Sequence, residues 1–393
     1  MYDFQSLPFF DNHTHLIQAD EERHCLLSSV TVTPTQLAAE FLHGRRDDPA
    51  SPLGISPELS GHLEHLGVVQ TLVHLLSRRL GCPATLRDVA EARNRLTATD
   101  APGYARALYE EAHILAEVVD SGLPMGDPLL SCFPCPVLRL FQMDPLVDRL
   151  LQECGTLAAC RAAFEAGLRQ AAAEGFAGVK CHVLERVSVA PRLVGDREAG
   201  AAYVAAASGD PEAWNVVYLA LLTDAMLLCQ ELDLPLHIHT GCTGNPNDLR
   251  HGCCDPFAMA PYLSNPQFYD TTVVFLHGSF PQVQHAALLC HSFPRVWVDL
   301  GWTLPWTSLG FAQCLSSVLA VAPHSKVLLG SGQHGIPEIS WMAAKVAKDA
   351  LAEVLGDLVR RDLLGLEQGQ DIAERVLYRN AQALYARHLE AKS

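Results

Sequence analysis

Asp11-Asn12-His13-Thr14-His15 closes the first apolar run of the chain, Leu7–Asp11, and Leu234-Pro235-Leu236-His237-Ile238-His239-Thr240-Gly241 closes another in its second half. Side chains alternate along a strand, so each H-x-H pair sends both imidazoles to one face; His13 and His15 can share a metal ion there, while His237 sits deeper than His239 and reads as a supporting or core histidine. One such pair alone says little, since histidine pairs also fall by chance in loops. Two more apolar runs end on a polar group of related use: Phe176-Ala-Gly-Val-Lys180 on a lysine and Val273-Val-Phe-Leu-His277 on a histidine. Four run ends with metal-competent or cationic groups match what parallel barrel strands present at their C-terminal rim.

The spacing of the apolar runs supports that architecture. Candidate strands lie at Leu7–Asp11, Leu115–Asp120, Val137–Phe141, Phe176–Cys181, Leu234–His239, Thr272–His277, Val296–Leu300 and Lys326–Gly330, separated by segments of helical periodicity. Eight strands alternating with helices predict a (β/α)8 TIM barrel, here as one domain over 1–393. The first strand is followed by a long excursion, 19–111, with helix-like runs at Thr35–Leu42, Leu63–Leu80 and Thr85–Thr97 and a Pro- and Gly-bearing loop at Asp47–Gly54. It reads as a helical insertion on the first loop, placed to cover the mouth as lids do. A separate helical domain is the other reading. Glu367–Ser393 reads as a terminal helix with a solvated face.

Composition narrows the class. The 393 residues are 49% hydrophobic and 18% charged, with Lys+Arg 28 against Asp+Glu 44 and a formal charge of −16. No basic stripe offers a nucleic-acid groove or an anionic-membrane dock, so neither partner is expected. The apolar stretch Val216–Cys229 contains Asp224 and is short for a bilayer span, so it is read as a buried helix. The N-terminus lacks the basic and apolar regions of a signal peptide, and a cytoplasmic location is expected. Thirteen cysteines without dense spacing suit a reducing compartment, and Cys132-Phe-Pro-Cys135 is a lone C-x-x-C, short of the four ligands of a structural zinc site. The expected partner is a small-molecule substrate, with self-association into a homo-oligomer left open.

The order H-x-H on strand one, Lys on strand four and His on strands five and six resembles the amidohydrolase superfamily. The closer resemblance is to the amidohydrolase-type domain that some larger proteins carry ahead of a glutamine-synthetase-like domain. Its Lys-x5-Arg pattern is similar to Lys180 through Arg186, and its His-Thr-Gly to His239-Thr240-Gly241. Asp248-Leu249, Asp255-Pro256, Leu276-His277-Gly-Ser-Phe280-Pro281 and Val296–Asp299 fit the same branch. The resemblance implies a hydrolase that activates water on one or two divalent ions, zinc first and manganese or iron next. It implies His13, His15 and His239 as ligands, with His277 and Lys180 as further ligands, Lys180 as a carbamate or else as a cation near substrate oxygens. Arg186 is the candidate clamp for a substrate carboxylate, since its planar fork suits bidentate recognition, although an ordinary salt bridge explains it equally. Asp248 is a second substrate-binding candidate, and Trp302, with Trp306, a candidate wall of the pocket. The implied reaction is hydrolysis of an amide-type C–N bond in a small carboxylate-bearing substrate. Metal-assisted decarboxylation and a non-catalytic ligand-binding barrel are the alternatives.

One position departs from the pattern. The superfamily ends strand eight with an aspartate that ligates metal and accepts the proton of the attacking water. Here the segment reads Gly330-Ser331-Gly332-Gln333-His334-Gly335-Ile336-Pro337-Glu338, which sets Gly332 where the aspartate belongs. Either another group serves as base, with His277, His334 and Asp299 the candidates near the mouth, or the site binds without turnover. Restoring an aspartate at Gly332 is the test this reading suggests.

Overall fold

The computed structural model describes residues 2–17, 62, 65–124, 126–242 and 254–390. Eight strands form one parallel sheet in sequence order: β1 Phe9–Thr14, β2 Ile114–Asp120, β3 Val137–Gln142, β4 Gly178–Cys181, β5 Leu236–His239, β6 Val273–Leu276, β7 Val296–Asp299 and β8 Val327–Leu328. The chain beyond β8 returns to β1. Asn12 N–H donates to the Leu329 carbonyl at 2.9 Å, Gly332 N–H to His13 at 2.7 Å and His15 N–H to Gln333 at 2.9 Å. These bonds bring the two edges together, and the fold is the expected (β/α)8 TIM barrel. Phe9, Val179, Ile238 and Val298 pack under the helices. Phe10, Val118, Leu140, Val274 and Leu328 fill the interior.

All eight expected strands form, with the largest displacement at the first, which starts two residues later and ends three later than Leu7–Asp11. The extension carries His13 into the strand. Strict alternation would put Asn12 and His13 on opposite faces, but the β1–β2 register shifts between Asp11 and Thr14. Such a bulge re-aims side chains. Asn12 therefore bonds to Asp299 inside the barrel while the His13 ring also meets His277.

Helices of nine residues or more are α1 Gly67–Leu80, α2 Leu86–Ala112, α3 Met143–Glu153, α4 Leu157–Ala173, α5 Asp196–Ala207, α6 Pro211–Glu231, α7 Val283–Ser292, α8 Phe311–Leu319, α9 Pro337–Arg360 and α10 Leu366–Glu374. Thr85 caps α2 by accepting from Asp88 N–H at 3.1 Å. The helix bends at Asp100, just before Pro102, and hands the chain to β2 through His113 in the left-handed region. It packs along α9, and Arg93 on α2 pairs in full burial with Glu338 on α9, Nε to Oε1 2.5 Å. Residues 86–112 supply the helix that leads into β2. The run Thr35–Leu42 and the loop Asp47–Gly54 lie outside the described residues. Helix α6 is long and apolar enough to cross a membrane; here it packs on α5 and α4, with Val217, Leu221, Leu222 and Ala225 fully buried.

The C-terminal segment departs from the expected helix with a solvated face. A π-helical turn, Arg375–Arg379, separates α10 from Asn380–Leu384. Its apolar side turns inward, and Tyr385 enters the barrel interior beside Phe10, ring centroids 6.1 Å apart. The Tyr385 hydroxyl donates to Asn12 Oδ1 at 2.8 Å and lies 3.2 Å from His237 Nε2.

Candidate metal centre

The ends of β1, β5 and β6 bring four histidines into one cluster. The His13 ring lies 4.9 Å from those of both His15 and His277, and the His239 ring 4.5 Å from that of His277, centroid to centroid. His182, just past β4, joins at 5.3 Å from His239, and His334 stacks on His15 at 3.7 Å. Most of these rings have one nitrogen committed. His15 Nδ1 faces the Asp120 carbonyl at 3.2 Å, His277 Nδ1 that of Gly301 at 3.0 Å, and His239 Nε2 that of Cys242 at 3.0 Å. A carbonyl only accepts, so each of those nitrogens carries the proton and the opposite nitrogen carries the lone pair. Burial, reinforced by neighbouring positive charge, holds His13, His15, His239 and His277 well below the ordinary histidine pKa, which keeps them neutral and able to ligate.

Two sets of donors emerge, each with its ligand atoms within 4.8 Å of one another: His13, His15 and Asp120, and His182, Glu185 and His239. Asp120, the last residue of β2, accepts from Lys180 Nζ on Oδ2 and from Gln142 Nε2 on Oδ1, both at 2.8 Å. Burial works to raise its pKa, but the Lys180 ammonium, with His15 and His182, outweighs burial and holds it well below the carboxylate range. Lys180, offered by the sequence as a carbamate ligand or as a cation near substrate oxygens, is ion-paired with Asp120 here. The fit to a cation is tested by His13: it is fully buried, and neither ring nitrogen has a hydrogen-bond partner among the described residues. A neutral imidazole has one N–H and one lone pair, and leaving both orphaned in a dry interior is costly. A divalent cation would take the lone pair.

A family model described as amidohydrolase matches residues 154–387. The chain belongs to the amidohydrolase family. It is also 30% identical over 152 residues to Protein fluG of Emericella nidulans, a match covering 38% of this chain and 17% of that relative, whose length this chain spans by less than a fifth. Among solved structures it resembles a Lactobacillus casei ATCC 334 protein provisionally described as a metal-dependent hydrolase, TM-score 0.79, 20% identity, 99% of both chains covered. Glucuronate isomerase from Caulobacter crescentus shares the fold at TM-score 0.66 and 15% identity, over 98% of this chain and 92% of that one.

Against the family pattern, the other sequence candidates fall as follows. Asp248 lies outside the described residues. Arg186 gives Nη2 to both carboxylate oxygens of Asp148 at 2.8 Å, and its guanidinium lies 4.9 Å over the Trp214 ring, so one arm of its fork is engaged. Trp302 stands against the cluster, 5.7 Å from His277 and 5.0 Å from Trp306 between ring centroids. His334 is exposed at the rim beside His15, and the protein around its ring strips enough water to push it down to about 4. Asp299 is fully buried, accepting from Asn12 Nδ2 at 3.0 Å and Gly301 N–H at 2.7 Å, and burial pushes its carboxyl up to about 7.

Gly332 has a structural reason. Its φ is +58°, and a Cβ there would stand 2.6 Å from both N and Cβ of Trp302. No L side chain fits without moving backbone. The aspartate that the sequence comparison invites at this position has no room, and the proposed restoration becomes a test of packing.

Sequence reasoning passed over Asp120, His182, Glu185 and Asp144. The criterion it applied to strand ends would have found Asp120, which closes the second expected strand. His182 stands two residues past Lys180, in the same H-x-H-like phase. Asp144 and Tyr218 carry no local signal, since they converge on His182 from α3 and α6.

Proposed function

We propose that this amidohydrolase hydrolyses an amide-type C–N bond in a small carboxylate-bearing substrate. The observation that carries the reading is His13, buried with both nitrogens unpartnered beside His15 and Asp120. Divalent cations at such donor sets polarise a carbonyl oxygen and acidify water near neutrality. His13, His15 and Asp120 would hold one, and His239 and His277 stand close enough to complete the shell or orient the substrate. Asp299 replaces the strand-eight aspartate as proton acceptor. It lies on β7 next to β8, pairing in register with Leu328, and its Oδ2 reaches within 3.2 Å of where a Cβ on Gly330 would be. Asn12 and Gly301 fix the carboxylate, and a pKa raised to about 7 lets it take and return a proton near neutral pH. His334, neutral against His15, is positioned to donate or accept at the rim. Lys180, ion-paired with Asp120 at 2.8 Å, holds that carboxylate ionised and in place beside His15. A small-molecule substrate and a cytoplasmic setting go with this reading.

The test is turnover by protein purified without chelator and screened on amides, lactams and aromatic acids. Metal-dependent release of an amine and a carboxylate is expected, with Asp299→Asn slowing it by ~10²–10⁴-fold at unchanged metal content. Carbon dioxide release in place of amide cleavage, or full activity in Asp299→Asn, would overturn the assignment.

A further inference from the structure

We infer that Tyr385, carried into the barrel by the C-terminal segment, positions the Asp299 carboxylate through Asn12. The inference rests on the reading of Asp299 as proton acceptor and adds the residues that hold the acceptor in place. Asn12, His237, Asp299 and Tyr385 are fully buried, so their polar atoms must find partners among themselves or on nearby backbone. The donors run in one direction. A carboxylate only accepts, so Asn12 turns its Nδ2 amide to Asp299 Oδ2, at 3.0 Å, and its Oδ1 away. That oxygen needs a donor in turn, and the Tyr385 hydroxyl supplies it at 2.8 Å. With its single proton spent, the hydroxyl meets His237 Nε2, 3.2 Å away, as an acceptor, so the one N–H of a neutral His237 sits on Nε2. Every proton points toward the carboxylate, and hydrogen bonds aligned in this way strengthen one another.

The other oxygen of Asp299, Oδ1, accepts from Gly301 N–H at 2.7 Å. The carboxylate is thus held on one side by the turn that follows its own strand and on the other by β1 backed by the C-terminal segment. Asn380, five residues before Tyr385, anchors that segment by donating to the carbonyls of His324 and Val327 at 2.7 and 2.8 Å, where β8 begins. Tyr385 therefore comes from the opposite end of the strands to the histidine cluster. Filling space does not account for the hydroxyl. The Tyr385 ring stacks with Phe10 and His237 at 6.1 and 6.2 Å between centroids, which a phenylalanine would do as well. The hydroxyl adds only the chain, and its two partners lie on strands that end in the cluster, Asn12 beside His13 and His237 two residues before His239.

The test uses full-length protein loaded with zinc(II), with nitrogen-15 in its asparagines, and the Asn12 carboxamide signals assigned by their loss in Asn12→Leu. Tyr385→Phe should shift these signals and speed exchange of their protons with solvent ~10-fold. Asn215, buried on α6 and bonded to Ser188, should keep its signals and its rate. A general loss of stability would move both. Glutaric mono-p-nitroanilide, a small carboxylate-bearing amide, supplies the kinetic readout. Tyr385→Phe should lower kcat ~10–100-fold at unchanged KM, and should cost nothing further in an Asp299→Asn background. Should Tyr385→Phe fail to fold by circular dichroism, His237→Leu, which removes the donor behind the hydroxyl, carries the test with a smaller shift of the same signals. Asn12 signals unmoved by these substitutions, or equal slowing of wild type and Asp299→Asn by Tyr385→Phe, would overturn the inference. Asn12 signals that move in a protein that hydrolyses neither this anilide nor the screened amides would remove the hydrolase reading and leave the positioning of the carboxylate standing.

Discussion

Placing a side chain at Gly332 should damage the fold and should not restore a catalytic aspartate. The residue adopts φ +58°, and its N–H is tied to the His13 carbonyl at 2.7 Å. The left-handed conformation costs an L-residue ~1–2 kcal/mol. A Cβ would stand 2.6 Å from Trp302 N and Cβ, where ordinary contact begins at 3.4 Å, so two backbone segments must part by most of an ångström. Overpacking of that kind costs ~1–3 kcal/mol. The sum, ~2–5 kcal/mol, is a large share of the ~5–15 kcal/mol that stabilises a typical protein. Urea unfolding of metal-free wild type, Gly332→Ala and Gly332→Asp measures it, with the alanine variant isolating the Cβ. Both variants should lose stability in this range, and neither should gain activity. A Gly332→Ala protein within ~0.5 kcal/mol of wild type, or a Gly332→Asp protein that is stable and more active, would refute the steric argument and restore the view that an aspartate was lost here.

Other perturbations follow from the same contacts. Glu117 is fully buried, with Oε1 accepting from Tyr109 at 2.8 Å and Oε2 unpartnered among the described residues, and burial together with Asp11 raises its pKa well above the ordinary 4.5. Its folded pKa exceeds the unfolded one, so its contribution is present below about pH 4.5 and is lost as pH rises through the raised value. Glu117→Gln should therefore stabilise the protein by ~1–3 kcal/mol at alkaline pH and by much less near pH 4, as thermal melts across pH would show. Arg93→Met strands Glu338 in the core and should cost ~3–5 kcal/mol, while Arg93→Met/Glu338→Leu should recover most of it in a double-mutant cycle. Tyr385→Phe removes the donor to Asn12 and should lower stability by ~1–3 kcal/mol in urea. Divalent cation at a hundredfold excess over Kd should raise apparent stability by ~2.7 kcal/mol per site, reversed by chelator.

The barrel is legible in the sequence because each strand is a short apolar run bounded by turn residues, and tertiary packing moved its ends by at most three positions. The first strand moved most because its final residues, Asn12 to Thr14, are polar yet buried: they bond and pack inside the site. The histidine cluster was legible for the same reason, since strand ends converge by topology. What could not be read depends on partners far apart in sequence. Asp144 meets His182 from α3, Tyr218 comes from α6, and Tyr385 reaches Asn12 across 373 residues. Arg186 illustrates the limit from the other side: a fork suited to a substrate carboxylate found Asp148 first. The C-terminal segment looked solvated because its charges are frequent, yet Ile372, Val376, Leu377 and Tyr385 form a buried side that closes on the barrel.

Anomalous diffraction at the cobalt edge, from crystals of the cobalt-loaded protein, addresses the histidine centre most directly. A peak enclosed by His13, His15 and Asp120 is the predicted result. No peak within ligand distance of His13, in protein shown by analysis to have been offered ample cobalt, would contradict the account.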